Sequence, residues 1–114
     1  MSDNSNLQPG LSRLHRLATA RGLEAIEAAS PALHVDGVAF IHLLDPTTAV
    51  LQCPVDQKAL LLDISPDIYF ETDHYVGQDA MLIRLDRISD EELSLRLHDA
   101  WTFRAPDHLK TGKH

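Results

Sequence analysis

Ala32-Leu33-His34-Val35-Asp36-Gly37-Val38-Ala39-Phe40-Ile41-His42-Leu43-Leu44 reads as two strands joined by a tight turn. Asp-Gly accepts the positive φ angles of a type I′ turn, and β-branched and aromatic residues flank it. With Val35 opposite Val38, alternation puts Leu33, Val35, Val38, Phe40, His42 and Leu44 on one face. Ala32, His34, Ala39, Ile41 and Leu43 fall on the other, and the first face is the better core candidate. Asp45-Pro46-Thr47 makes a second turn, with proline where a type I turn prefers it. Thr48 to Cys53 returns as a third strand, so the middle of the chain is an antiparallel meander.

Helices flank this meander. Upstream, Leu11, Leu14, Leu17 and Ala18 recur at helical spacing, with Arg13, His15, Arg16 and Arg21 on other sides and Gly22 as a C-terminal stop. Residues 1–8, rich in Ser and Asn, read as a flexible arm, and Glu24 to Ser30 as a short strand or irregular segment ahead of Pro31. Downstream, Pro54 suits a helix start, and Val55, Ala59, Leu62 and the adjacent Leu60, Leu61 and Ile64 are the expected buried side before Ser65-Pro66. Ile68 to Phe70 is a short strand, Asp73 to Gln78 a loop, and Ala80 to Leu85 the last strand. Ser89 and Glu92 form a capping box, with Ile88 and Leu93 placed as a hydrophobic staple. Leu93, Leu97, Ala100 and Trp101 then make a core-facing helical stripe that Pro106 ends.

The element order predicts an α+β two-layer sandwich, an antiparallel sheet with helices on one face. A chain of 114 residues holds one core, so a single domain is expected over 9–108 with a polar tail at 109–114. The 44% apolar and 24% charged content is ordinary globular composition and excludes a disordered chain. Cys53 is the single cysteine, which rules out an internal disulfide and fits a reducing cytoplasm. No apolar run approaches the roughly 18 residues of a membrane span, so no membrane partner is expected.

Pro66-Asp67-Ile68-Tyr69-Phe70-Glu71-Thr72-Asp73-His74-Tyr75, then Gly77, Leu82-Ile83-Arg84-Leu85, Ile88-Ser89, Ala100-Trp101 and Arg104-Ala105-Pro106, form a pattern that resembles the MmcQ/YjbR family. The match reaches back through Gly37 and Phe40 and covers roughly residues 35 to 109. This resemblance implies a CyaY-like (frataxin-like) fold and DNA binding through a double-wing arrangement of hairpins, with no established reaction. Two positions depart from the family's pattern. Val38 stands where members commonly carry a lysine and Gln78 where many have an aromatic, a phosphate partner and a stacking platform respectively.

The formal charge of −7 opposes such binding unless the cations gather. It is unevenly spread: residues 1–22 carry +2, residues 23–83 carry −9 with Lys58 as their sole cation, and residues 84–114 balance to 0. A phosphate-facing surface must therefore draw on Arg13, Arg16, Arg21, Arg84, Arg87 and Arg104, with Arg96, Lys110 and Lys113 as further cations. Asp36 and Asp45 put an anion in each hairpin turn. The bland alternative is that the arginines pair with nearby acids, as Glu92 with Arg96 at i, i+4.

No catalytic constellation, metal site or cofactor is expected. His34 and His42 project from opposite faces in the register above, His15 and His98 lie on different helices, and no Cys/His cluster exists. Cys53 is read as a buried strand-end cysteine rather than a helix-terminus thiolate. Asp73-His74, His98-Asp99 and Asp107-His108 are sequence neighbours whose side chains diverge. Trp101 belongs to the core stripe, leaving Tyr75 as the exposed aromatic. The expected function is non-enzymatic, weak and salt-dependent DNA binding by a monomer. Alternatives are an acidic module that holds a protein partner, and a small-molecule binder or enzyme of unknown reaction.

Overall fold

The computed structural model describes residues 4–23, 26–27, 32–35 and 37–105. The readings placed on Asp36, on 24–25 and 28–31, and on Pro106 and everything after it, Lys110 and Lys113 included, lie outside the described residues.

The hairpin strands, β2 (Ala32–Val35) and β3 (Val38–Asp45), lie inside a six-stranded antiparallel sheet. The others are β1 (Ile26–Glu27), β4 (Thr48–Gln52), β5 (Tyr69–Phe70) and β6 (Ala80–Arg84), in the spatial order β1-β2-β3-β4-β6-β5. Three helices, α1 (Asn4–Ala20), α2 (Val55–Ile64) and α3 (Asp90–Arg104), contribute to the core on one face. The architecture is the expected α+β two-layer sandwich. α1 begins upstream of Pro9, within the stretch read as an arm.

Val35 does pair with Val38 around Gly37, whose φ is +80°. The faces of β3 nevertheless differ from the simple alternation. His34 pairs with Ala39 but Leu33 pairs with Ile41, so Phe40 is an extra residue, a β-bulge. The bulge keeps Phe40 buried and turns Ile41 and Leu43 into the core as well, while Val38 and Leu44 are exposed and His42 is half-buried. His34 and His42 consequently share the face away from the main core, a correction to the opposite-face reading. Ile41 and Leu43 are the core residues in place of His42 and Leu44.

α1 ends as its glycine predicts. Gly22 adopts φ +77°, Leu23 N–H reaches Ala18 O at 3.0 Å and Gly22 N–H reaches Thr19 O at 2.9 Å, the paired bonds of a Schellman stop. Leu11, Leu14, Leu17 and Ala18 are buried as expected. At α3, Ser89 Oγ accepts from Glu92 N–H at 3.1 Å. The Glu92 carboxylate is engaged elsewhere, accepting the buried Tyr69 phenol at 2.6 Å. Burial and that carboxylate both push the Tyr69 pKa up.

α2 departs most from its sequence reading. Its buried residues are Lys58 and Leu61, whereas Val55, Leu60 and Ile64 are 43%, 57% and 63% exposed. Lys58 Nζ donates to Tyr75 O at 2.8 Å and Gln78 O at 2.7 Å and lies 2.9 Å from Glu71 Oε1. Two backbone acceptors and a carboxylate at ion-pair distance are one of the few settings in which an ammonium can be buried. It pins α2 to the segment between β5 and β6. That segment in turn covers Val50, Ala80 and Leu82 on the far side of the sheet, with Phe70 and Tyr75 packed over them.

Candidate nucleic-acid interface

One end of the sheet is built by two turns and the first half of α1. In the β3–β4 turn, Asp45 Oδ1 accepts Thr47 N–H at 2.9 Å, which helps hold the carboxyl below its usual range. Thr48 pairs with Arg84 at the end of β6, and Leu85 N–H donates to Thr47 O at 2.7 Å, joining this turn to the one that follows β6. The second turn closes through Arg87 N–H to Arg84 O at 3.0 Å. α1 meets the β3–β4 turn at Gly10, where an added Cβ would stand 3.3 Å from Leu43 Cδ1 and 3.6 Å from Pro46 O.

Arg13 is the clamp of this corner. Its Nη1 donates to Leu85 O at 2.8 Å, Nη2 to Ile88 O at 2.7 Å and Nε to Asp90 Oδ1 at 2.7 Å. Those bonds commit its guanidinium to structure. Arg16 stands 3.7 Å from Asp90 Oδ2, and hydrogen bonding from Arg13 is the main cause holding the Asp90 carboxyl low. Arg21 Nε donates to Ser94 Oγ further along α3. The basic first helix therefore does meet the C-terminal third of the chain, as a phosphate-binding surface would require, but its arginines are held by acceptors of the turn after β6 and of α3.

Arg84 and Arg87 are different. Both are exposed, and among the described residues they are the cations whose side-chain nitrogens hold neither a hydrogen bond nor an ion pair. Arg84 lies over the Phe70 ring at 4.1 Å, a cation–π contact that steadies the guanidinium plane and leaves its N–H edge open. The two arginines line a cleft of about 330 Å³ together with Thr47, Thr48, Asp67 and Asp86. The two guanidiniums are donors suited to phosphate oxygens, whereas the Thr47 hydroxyl already donates to Asp45 Oδ1 at 3.3 Å.

Arg104 is at the far end of β4 and β6. Its Nη2 donates to Gln52 Oε1 at 2.7 Å, and Gln52 pairs with Ala80. It therefore does not join the others. The cleft beside it, about 280 Å³, is lined by Gln52, His74, Tyr75, Gln78, Asp79 and Ala80. Tyr75 is half-buried, edge-on to His74 at 4.8 Å, and anchored on the sheet rather than displayed. Arg96 pairs with Asp99 at 3.2 Å rather than with Glu92.

Cys53 is buried, and burial pushes its thiol up to about 11. Burial also lowers the His42 pKa. Among the described residues, no group of three His, Cys, Asp or Glu side chains is arranged to hold a metal, and no helix is long and apolar enough to cross a membrane. Sequence reading missed Lys58 as a structural centre, although its position as the sole cation of a stretch carrying −9 was a signal.

No family model matches the chain, and no solved structure matches it. Over 52 residues it is 39% identical to an uncharacterized protein of Mycobacterium bovis and to uncharacterized proteins of two Mycobacterium tuberculosis strains. The aligned segment is 46% of this chain and 40% of each relative, so less than half of the relatives' length is spanned.

Proposed function

We propose that this protein is a non-enzymatic, cytoplasmic DNA-binding protein of MmcQ/YjbR type with a CyaY-like fold, and that Arg84 and Arg87 are its phosphate contacts. The observation that carries the reading is the convergence in one cleft of these two guanidiniums, which hold no hydrogen bond or ion pair among the described residues. The family resemblance of the stretch around Arg84 supports it. Arg16 lies on the same corner and adds a third, partly neutralised cation. The binding is weak, because Asp67 and Asp86 share the cleft and the whole chain carries −7.

Fluorescence anisotropy with a labelled DNA duplex tests this. Binding should weaken steeply with salt, and replacing both Arg84 and Arg87 with glutamine should lower the slope of log K against log salt by about 1.8, or about 0.9 per phosphate contact. Arg104→Gln should leave the slope unchanged. No binding at low salt with tens of micromolar protein, or equal loss with Arg104→Gln, would overturn the assignment.

A further inference from the structure

α2 is inverted relative to a helix that merely covers a core. Lys58 and Leu61 point inward, and Gln57 reaches across to α3, donating to Asp99 Oδ2 at 2.7 Å. The remaining outward positions are Val55, Asp56, Ala59, Leu60, Asp63 and Ile64, all exposed. They fall at i, i+1, i+4, i+5, i+8 and i+9 and so form one continuous stripe. Large aliphatic side chains make its ridge, Leu60 at 57% and Ile64 at 63% exposure, and carboxylates flank them. Among the described residues no cation is paired with those carboxylates, and the one lysine of the helix is buried in its ion pair with Glu71.

We infer that this face of α2 is a docking surface for a basic amphipathic helical segment of a protein partner. Exposed aliphatic groups one turn apart provide the apolar seam that a helix laid alongside would cover. Asp56 and Asp63 select lysine- or arginine-bearing flanks on that segment and repel acidic ones. The same charges argue against a second copy of this chain as the occupant. A two-fold dimer sets a face against itself, which would bring Asp56 and Asp63 against the same carboxylates.

The test uses the full chain and a fluorescein-labelled 14-residue helical peptide of leucine and lysine in amphipathic pattern, with a glutamate-for-lysine version as its counterpart. The lysine peptide should bind and the glutamate peptide should not. Leu60→Ser with Ile64→Ser should weaken binding at least tenfold, and Asp56→Asn with Asp63→Asn should weaken it and flatten its salt dependence. Leu95→Ser, which removes an exposed leucine of α3 instead, should leave it unchanged, and circular dichroism melts check that each variant is folded. The proposal is overturned if the lysine peptide fails to bind at tens of micromolar, if the Leu60 and Ile64 changes do nothing, or if Leu95→Ser is equally damaging. It is also overturned if the chain is a dimer in solution that the Leu60 and Ile64 changes convert to monomer.

Discussion

Replacing Lys58 with methionine removes the ammonium and keeps most of the side-chain volume. Three groups lose their partner: the Tyr75 and Gln78 carbonyls, at 2.8 and 2.7 Å, and the Glu71 carboxylate at 2.9 Å. Breaking a buried ion pair from one side costs about 3–5 kcal/mol, because the remaining charge is left uncompensated. The Lys58 side chain is 6% exposed and that of Glu71 27%, with the Oε1 that faces the ammonium itself buried, so water reaches only part of the orphaned carboxylate. A loss of about 2–3 kcal/mol is therefore expected. For a domain of this size that corresponds to a fall in Tm of about 10–15 °C. Urea unfolding should show a lower midpoint with an unchanged slope. Adding Glu71→Gln to Lys58→Met should recover about 1 kcal/mol or more, since the second change removes the charge that the first leaves stranded. A loss under about 0.5 kcal/mol, or strict additivity of the two changes, would refute the reasoning by showing that the pair is solvated.

Burial lowers the His42 pKa below 6.5, so the unfolded chain binds this proton more readily. The stability is thus fully present above pH 6.5 and is lost as pH falls toward the folded value. His42→Gln should remove that loss, and a stability difference between variant and parent that does not change from pH 7.5 to 5.5 would contradict it. Cys53, with its thiol pushed up to about 11, should react with Ellman's reagent at pH 8 only as fast as the protein opens, because roughly a thousandth of the thiol is ionised there. Rapid stoichiometric labelling of the folded chain would show the site to be open.

The parts of this fold that were legible in the sequence are those with a local physical cause. The Asp36-Gly37 turn, the Gly22 stop and the Ser89 cap each depend on a few neighbouring residues, and the described partner residues behave as their chemistry dictates. The faces of β3 were not legible. Strict alternation forbids burying Phe40 and Ile41 together, and a bulge that accommodates both is decided by the core it fills, not by the strand. α2 failed for a related reason. Leu60 and Ile64 have the residue type of a core, but the lysine's three oxygen partners come from residues 71, 75 and 78, which no helical periodicity can see. For the candidate site, composition identified the cations. Which were free depended on Asp90, Ser94 and Gln52, acceptors distant in sequence that commit Arg13, Arg16, Arg21 and Arg104.

That division among the arginines changes how the net charge of −7 bears on DNA binding. At physiological salt the Debye length is about 8 Å, so a phosphate at the Arg84–Arg87 cleft senses the cleft's own cations and its two aspartates far more than the carboxylates of α2. At 0.01 M it is about 30 Å, comparable to the molecule's 39 × 37 × 25 Å, and the same phosphate then senses the entire acidic chain. Lowering salt strengthens the local attraction and also unmasks the global repulsion. The log–log salt plot from the duplex titration should accordingly flatten at low salt instead of continuing as a straight line. Neutralising Asp56 and Asp63, which lie outside the cleft, should restore part of the slope there and leave affinity at 0.15 M little changed. A plot that stays linear down to 0.01 M in the parent protein would mean that net charge does not reach the cleft, and that the cleft's own composition sets the affinity throughout.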